Sequence, residues 1–531
     1  MQAWVKGFLC CTALLCGSPA VVRAAEISED EASRFLMQAS FGPTLEDIAE
    51  VQRLGYAGWI DNQFSRAATL HRPTMEGPLG GISGEEFKPS DRQEAWFRVV
   101  LTANDQLRQR VAFALSEIFV IADTNNQINK RPRHAAEYYD VLLRHAFGNY
   151  RNLIEQVTLS PAMGLYLSMI RNDKPDDGSG RRPDENFARE AMQLFSIGVW
   201  ELNADGSERL DGRGERIASY SQETVENFSR LYTGWNWADA DSFFGEKDSL
   251  AAMKAFPEHH DSDSKRLLRG LVVPAGNTPQ QDLDAAMDNL FQHPNTAPFI
   301  SRRLIQRLVS SNPSPAYIQR VARVFENNGS GTRGDLRAVV RAILLDSEAR
   351  AAPIASSGKL KEPLLRITGI WRAFDARSGS GRYEYPRPEA DWGQAALRSP
   401  SVFNFFLPDY RPPGSFTQAG LYAPEFQIQT DTMGLRMANS FARFILRQYE
   451  GAPDVTDEQI VIRVAREAAL AADPQALLDE LDTLLLAGRM TPALRGHIAS
   501  LLTQLPASDP GTRAVSAIYL VATSPEYAVQ K

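Results

Sequence analysis

The chain has 531 residues, a formal net charge of −8 and only three cysteines. This length provides ample chain for a buried core and suggests two or more structural units. A net acidic balance argues against a nucleic-acid partner, because phosphate binding depends on a basic surface.

Residues 1–24 have the pattern of a signal peptide. Lys6 precedes an apolar run that ends in small residues, with Val22 and Ala24 at the positions that a signal peptidase reads. We therefore predict a periplasmic or secreted protein. All the cysteines lie in this segment, so the mature chain can form no disulfide and no thiolate metal site: Cys10, Cys11 and Cys16. No later stretch approaches the roughly 20 apolar residues of a membrane helix, which predicts no membrane span.

The rest of the sequence predicts a mainly α, multi-helix globular protein. Ser28 and Glu31 form a capping-box pattern before an apolar helical period. Similar periods recur in "RQEAWFRVVLTAN", "DQLRQRVAFALSEIFVI", "AAEYYDVLLRHAF", "DLDAAMDNLFQ", "APFISRRLIQRLV", "PAYIQRVARVFENN" and "GDLRAVVRAILLD". We assign residues 25–455 to a helical core domain and residues 456–531 to C-terminal helices that pack on it.

Two kinds of non-helical structure are predicted. In "VWELNADGSERL", Asp205-Gly206 would supply the positive φ angles of a small β-hairpin. Residues 73–92 and 377–424 are predicted to be long irregular loops, and such loops often carry function. The second loop is rich in aromatic residues, which could stack on sugar rings or, as we favour, pin the loop to the core: Tyr383, Tyr385, Trp392, Phe403, Phe405, Phe406 and Tyr410.

The segment "RRPDENFAREAMQLFSIG" predicts an amphipathic helix that Asp184 caps and Gly198 ends. Its polar side is consistent with an ordinary solvated face, in which Glu185 and Arg189 form an i,i+4 pair. Asn186 and Glu190, however, lie at the border of the apolar side, where side chains are often half-buried and need partners. A second helix should begin at Ser221 and end at Gly234.

The segment "HHDSDSKRLLRG" places four polar side chains within seven residues: His259, His260, Asp261 and Lys265. A histidine beside a carboxylate can transfer protons or bind a divalent metal. The alternative, which we favour, is a polar loop or a His–Asp pair that merely anchors a turn. A metal would need further ligands, for which Glu185 and Glu190 are the nearest candidates; the sequence leaves metals and cofactors unknown.

Together these segments resemble the bacterial family called domain of unknown function 1800. The resemblance rests on "RFLMQASFGPT", "PDENFAREAMQLFSIG", "YSQETVENFSRLYTGW", "HHDSDSKRLLRG", "KLKEPLLR" and "SVFNFFLPDYRPPG". Asp184 departs from the asparagine that many relatives have. The motif positions that carry over are Glu185, Asn186, Ala188, Arg189, Glu190, Gly198, Thr233, Gly234, Trp235, His260, Asp261 and Lys265. The resemblance implies an exported, mostly helical bacterial protein, often encoded beside another exported family that looks like a sulfatase or phosphatase relative.

Two functions follow as hypotheses. The first is an enzyme that acts on an envelope or extracellular polymer, a glycan, by acid–base chemistry. In it Glu190 or Asp261 is the acid or base and His260 a proton shuttle or metal ligand, while the substrate is held by Asn186, Arg189 and Lys265. The second is a non-catalytic scaffold or partner of the co-encoded exported sulfatase-like protein, in which the same polar residues form a buried network.

Overall fold

A computed structural model describes residues 26–77, 87–354 and 356–531. The predicted signal peptide, its cysteines and residues 78–86 of the predicted 73–92 loop lie outside these ranges. The prediction of a loop is wrong at both ends of that segment, because residues 73–76 and 89–92 are helical. Within them the secondary structure is mainly helical, as predicted, and the β structure consists of three two-stranded antiparallel sheets. None of the described helices combines the length and apolar character that crossing a bilayer requires.

The first helices follow the capping signals of the sequence. Ser28 Oγ accepts a hydrogen bond from the Glu31 backbone N–H (3.2 Å), and a Glu31 carboxylate oxygen accepts from the Ser28 N–H (3.0 Å). This capping box starts the first of nine helices: α1 Glu29–Ala39, α2 Leu45–Ser65, α3 His71–Glu76, α4 Pro89–Thr102, α5 Gln106–Ser116, α6 Asn126–Asn129, α7 Pro132–His145, α8 Tyr150–Leu159 and α9 Pro161–Tyr166.

The middle of the chain alternates helices with short strands. Its helices are α10 Asn186–Gln193, α11 Gln222–Leu231, α12 Pro279–Gln292, α13 Thr296–Leu308, α14 Pro315–Glu326, α15 Leu336–Leu345 and α16 Ser347–Arg350. Strand β1 Trp235–Asn236 pairs with β2 Lys254–Ala255, and β3 Lys265–Arg266 pairs with β4 Val272–Val273. Single-turn 3₁₀ helices cover Pro257–His259 and Leu268–Gly270.

The last part of the chain packs back on the first. Its helices are α17 Pro363–Ala373, α18 Pro388–Trp392, α19 Ser415–Gln418, α20 Asp431–Leu446, α21 Ala465–Leu470, α22 Pro474–Leu481, α23 Pro492–Gln504, α24 Pro510–Ala522 and α25 Pro525–Ala528. A 3₁₀ turn spans Pro424–Gln427 and a π-helical turn, Asp482–Leu486, contacts α1. Strand β5 Lys359–Leu360 pairs with β6 Val529–Gln530. One core of buried apolar side chains runs from Ala32 to Tyr527.

The predicted hairpin is part of a three-segment meander, residues 199–219. Backbone bridges join Trp200 to Ala218, Leu202 to Glu208 and Leu210 to Arg216. The first turn differs from the prediction, because Gly206 has a positive φ (77°) and Asp205 does not. A three-residue loop needs only one left-handed residue at its end, and glycine takes that position.

The long loop 377–424 holds only the short helices α18 and α19 and is otherwise irregular. Most of its aromatic residues are buried, which supports the pinning interpretation: Tyr383, Tyr385, Trp392, Phe405 and Phe406. The indole N–H of Trp392, for example, donates to Ser440 Oγ on α20 (3.1 Å). Phe403 differs from them, because 43% of it is exposed.

Candidate functional site

The predicted motif helix is shorter than expected: α10 covers Asn186–Gln193 and ends in irregular turns before Gly198. Glu185 and Arg189 form the predicted pair (2.9 Å), and both also bond Gln222 on α11. These side chains are a third or more exposed, so the pair contributes little stability. Asn186 is exposed as well, so the prediction that it is half-buried is wrong.

Glu190 is the exception on this helix, because only 6% of it is exposed. Its side chain makes no hydrogen bond with any residue that the structure describes, and Oε2 is buried without a partner. Burial raises the pKa of Glu190, and the charge of Arg189 opposes this only in part. The Glu190 carboxyl is therefore a buried acid without a hydrogen-bond partner among the described residues.

His260 belongs to a separate, closed group of polar side chains. Its Nδ1 lies 3.0 Å from the Thr233 carbonyl oxygen, and its Nε2 lies 3.1 Å from Asp282 Oδ2. Both ring nitrogens thus lie within hydrogen-bonding distance of an oxygen atom. Across the described ranges, no group of three or more His, Cys, Asp or Glu side chains is arranged to hold a metal ion.

Lys265 completes this group from the same loop. Its ammonium lies 2.7 Å from Asp282 Oδ2, 2.5 Å from the Asp261 carbonyl oxygen and 2.8 Å from the Asp263 carbonyl oxygen. These contacts use all three ammonium hydrogens. The Lys265 and Asp282 side chains are both 0% exposed.

Asp261 is held by Arg230 of α11 in a two-pronged ion pair of 2.6 and 3.0 Å. Burial by itself would raise the pKa of Asp261, but the hydrogen bond from Arg230 and the nearby positive charges hold it below its usual value. The same balance lowers the pKa of Asp282, which accepts from His260, Lys265 and Asn277. We call the five residues His260, Asp261, Lys265, Arg230 and Asp282 the His260 cluster.

The glycine of "TGW" explains part of this geometry. Gly234 has a φ of 83°, and a Cβ there would lie 3.0 Å from the His260 backbone nitrogen. The preceding Thr233 Oγ1 accepts from the Asp261 N–H (2.9 Å). The backbone at 233–234 therefore fixes the position of the 260–261 turn.

The structure brings His260, Asp261 and Lys265 together, but not with the α10 residues. Among the described residues, no hydrogen bond or ion pair joins these three to Asn186, Arg189 or Glu190. The two regions are linked indirectly, through α11 and through Asn172. Asn172 bonds the backbone of Asp184 (2.8 and 3.0 Å) and accepts from the Gly234 N–H through its own carbonyl oxygen (2.8 Å). Catalytic and substrate-binding roles for the six residues stay predictions.

A cavity of about 300 Å³ opens near the end of α10, which is at the lower end of the range for ligand pockets. The segment that follows α10, the meander, helix α13 and the loop 402–422 form its walls. Two of the segments that carry the family resemblance, "QLFSIG" and "SVFNFFLPDYRPPG", thus contribute to it. At its mouth lie three exposed apolar side chains, Val199, Phe403 and Leu407.

Four arginines line this cavity, and each guanidinium lies over an aromatic ring. The distances to the ring centroids are 4.2 Å for Arg216 over Trp200, 5.1 Å for Arg302 over Tyr422, 4.8 Å for Arg303 over Phe299 and 4.6 Å for Arg307 over Phe406. Such stacking positions the charge while the N–H edges of the guanidinium stay available for other partners. We call this site the arginine cavity.

Glu117 contributes a buried carboxyl to the same wall. Gln394 and Asn404 donate to its Oε1 at 3.4 Å, and the Arg307 Nε lies 3.5 Å from its Oε2. Burial, together with the negative charge of Glu362, raises the pKa of Glu117 to about 8, although Arg307 acts in the opposite direction. The carboxyl of Glu117 is therefore a candidate proton donor at the cavity wall.

Asn295 ties the cavity to the rest of the fold. Its amide donates to the carbonyl oxygens of Ile197 (2.9 Å) and Trp200 (2.8 Å), and its side-chain oxygen accepts from the Leu202 N–H (2.9 Å). Asn295 is fully buried at the start of α13. It therefore holds the meander against the helix that carries Arg302 and Arg303.

Sequence reasoning missed several of these residues. Asp282 gave a signal, because it shares a helix face with the apolar Ala286 and Leu290. Arg302, Arg303 and Glu117 gave no such signal: they lie in ordinary amphipathic helix patterns, and the cavity forms only when distant segments meet.

These features define a mainly helical protein with a closed ionic cluster and an open arginine-lined cavity. The chain belongs to the family described as Protein of unknown function (DUF1800), whose model matches residues 34–529. The match confirms the resemblance drawn from the motifs. No curated protein and no solved structure matches the chain.

Proposed function

We propose that this chain is an exported bacterial protein that binds a glycan of the cell envelope or the extracellular medium in the arginine cavity. The observation that carries the proposal is the cavity itself. It is large enough for a small ligand and combines aromatic rings with polar side chains such as Gln193, Glu208 and Asp409. Sugars offer hydroxyl groups and apolar ring faces, which match such a wall.

The geometry favours the cavity over the His260 cluster as the ligand site. The polar atoms of Lys265 and Asp282 are buried and already bonded to each other and to their neighbours. A ligand would have to break these contacts to bind there, whereas the cavity is open. Where the bound glycan is also cleaved by acid–base chemistry, we propose Glu117 as the acid, since its carboxyl lies in the wall and burial favours its protonated form.

Binding can be tested by titration calorimetry of the mature protein with cellohexaose, chitohexaose, hexagalacturonate and a chondroitin sulfate hexasaccharide. Phe403→Ala should weaken the binding of whichever probe binds, because Phe403 is an exposed ring at the cavity mouth. Phe244→Ala is the matched control: Phe244 is also exposed (64%) but lies outside the cavity. If no oligosaccharide binds, or if both variants bind like the wild type, the proposal is wrong.

A second candidate function is a non-catalytic scaffold or partner of the co-encoded exported sulfatase-like protein. The closed His260 cluster favours it, because a sealed ionic network stabilises a fold without performing chemistry. Co-purification of the two exported proteins, with no oligosaccharide binding to this chain, would support the second function over the first.

A further inference from the structure

Arg302 and Arg303 differ from the other arginines of the cavity in their charge balance. Arg216 lies 3.7 Å from Glu208, and Arg307 lies 3.5 Å from Glu117. In the described parts of the chain, no carboxylate oxygen lies within 4.0 Å of either Arg302 or Arg303. Both side chains are half-buried in the cavity wall.

Their hydrogen-bonding groups are also largely unused. The Arg302 side chain makes no hydrogen bond with a described residue, and the Arg303 side chain makes one long contact, to Gln306 Oε1 (3.4 Å). A guanidinium has five N–H donors in one plane. Because the contact with an aromatic ring uses none of these donors in a hydrogen bond to an oxygen or nitrogen atom, most of them remain free for a ligand.

The positive charges repel one another in this wall. Burial lowers the pKa of Arg303, and the adjacent charges of Arg302 and Arg307 lower it further, while Asp409 acts in the opposite direction. A bound anion would relieve this repulsion. The cavity lining contains four arginines and only three carboxyl groups, those of Glu117, Glu208 and Asp409, although the chain as a whole has a net charge of −8.

We infer that the glycan bound in the arginine cavity is acidic, and that Arg302 and Arg303 bind its carboxylate or sulfate groups. This inference rests on the proposed function. Planar, two-pronged recognition of an oxyanion is the chemistry for which arginine is best suited.

An anionic lipid would offer a similar charged group, but the wall favours a glycan. Gln193, Glu208 and Asp409 line the cavity beside the aromatic rings. An acyl chain would bury these polar groups without partners, at a cost in binding free energy, whereas sugar hydroxyls would bond them.

The test compares two acidic probes, hexagalacturonate and a chondroitin sulfate hexasaccharide, with neutral cellohexaose and chitohexaose. We expect an acidic probe to bind more tightly than the neutral ones, and its binding to weaken as ionic strength rises. Arg302→Gln and Arg303→Gln should each raise its Kd by about tenfold or more, since each removes charge-assisted hydrogen bonds. Neutral-probe binding should change little.

Arg337→Gln provides a matched control. Arg337 also stacks on a phenylalanine, 4.8 Å from the Phe64 ring centroid, but it lies outside the cavity. We expect it to leave the Kd unchanged. Thermal unfolding of all three variants checks that the folded protein is being compared.

The possible failures can be told apart. The inference would be overturned, and the proposed function left standing, if neutral oligosaccharides bound as tightly as acidic ones and neither Arg302→Gln nor Arg303→Gln changed that binding. No binding by any oligosaccharide would overturn both. If the protein binds phosphatidylglycerol vesicles but not the acidic probes, and this binding requires Arg302 and Arg303, the ligand is an anionic lipid and not an acidic glycan.

Discussion

Asp282→Asn tests whether the His260 cluster stabilises the fold. The Asp282 carboxylate accepts from Lys265 (2.7 Å), His260 (3.1 Å) and Asn277 (2.8 Å) in a site with no exposed side-chain surface. The amide keeps the shape of the carboxylate but removes its charge. The NH₂ group of the new asparagine would also face one of these donors. The ammonium of Lys265 would then stay buried beside a weaker partner.

The expected loss follows from this geometry. Removing one partner of a buried ion pair typically costs about 3–5 kcal/mol, because the other charge stays buried without compensation. The pKa of folded Asp282 lies below its ordinary value of 3.8. Its contribution is therefore present above about pH 4 and is lost as the pH falls through the folded-state pKa, so wild type and variant should converge in acid.

Urea unfolding at pH 7 and at lower pH measures this difference. Asp288→Asn, on the same helix, is the control, because Asp288 is 64% exposed and forms a surface ion pair with Arg151. We expect that variant to lose less than about 1 kcal/mol. An equally small loss for Asp282→Asn, or a difference that persists unchanged below pH 4, would refute the reasoning.

Asp261, Glu117 and Gly198 each allow a further test. In urea unfolding, Asp261→Asn and Asp282→Asn should couple by roughly 0.5–3 kcal/mol, because the Lys265 ammonium lies 3.7 Å from Asp261 Oδ1 and 2.7 Å from Asp282 Oδ2. Glu190→Gln and Asp261→Asn should instead add within about 0.5 kcal/mol; the opposite pattern would restore a single network. Glu117→Gln should flatten the pH dependence of the free energy of unfolding between about pH 4.5 and 8. Burial raises the pKa of folded Glu117 to about 8, so its protonated carboxyl contributes stability that is complete below the unfolded value of 4.5 and is lost as the pH rises through 8. A wild-type profile that is already flat there would contradict this prediction. Gly198→Ala should lower stability by about 1–2 kcal/mol or more, since its φ is 72° and a Cβ would lie 2.8 Å from the ring of Phe299. It should also weaken probe binding in calorimetry, and an Ala variant with wild-type melting temperature and Kd would exclude this role.

The helices could be predicted because their signals are local. Ser28 and Glu31 lie three residues apart, and Ser221 caps α11 as its position predicts. Apolar spacing within each helix then determines which face is buried. The same locality explains the error at Asp205, since the sequence shows a turn there but not which residue must be left-handed.

The partners of the polar residues could not be predicted in this way. His260 bonds Asp282, 22 residues further along the chain, and Asp261 bonds Arg230, 31 residues earlier. Nothing in the spacing of "HHDSDSK" indicates either contact. Proximity in sequence suggested that Glu190 would share a site with these residues, but the fold gives it separate surroundings.

The arginine cavity shows a second limit of sequence reasoning. Arg302 and Arg303 lie on the polar side of an amphipathic helix, and such a face is ordinarily solvated. It becomes a cavity wall because the loop 402–422 covers it, and Tyr422 of that loop stacks on Arg302. Loop coverage is a long-range property, and helical periodicity carries no information about it.

The closed cluster and the open cavity are physically connected, which gives the buried charges a role in binding without contact to a ligand. Asp282 fixes the start of α12 to the 260–265 loop, and α12 leads directly into Asn295 and α13. Asn295 in turn holds the meander at Ile197 and Trp200. A change in the cluster can therefore displace the cavity walls by way of α12, so reduced binding after a cluster mutation does not by itself make the mutated residue catalytic. A mutation that lowers both stability and binding identifies a positioning residue. Substitution of Arg302 or Arg303 should instead weaken binding while the protein keeps its stability.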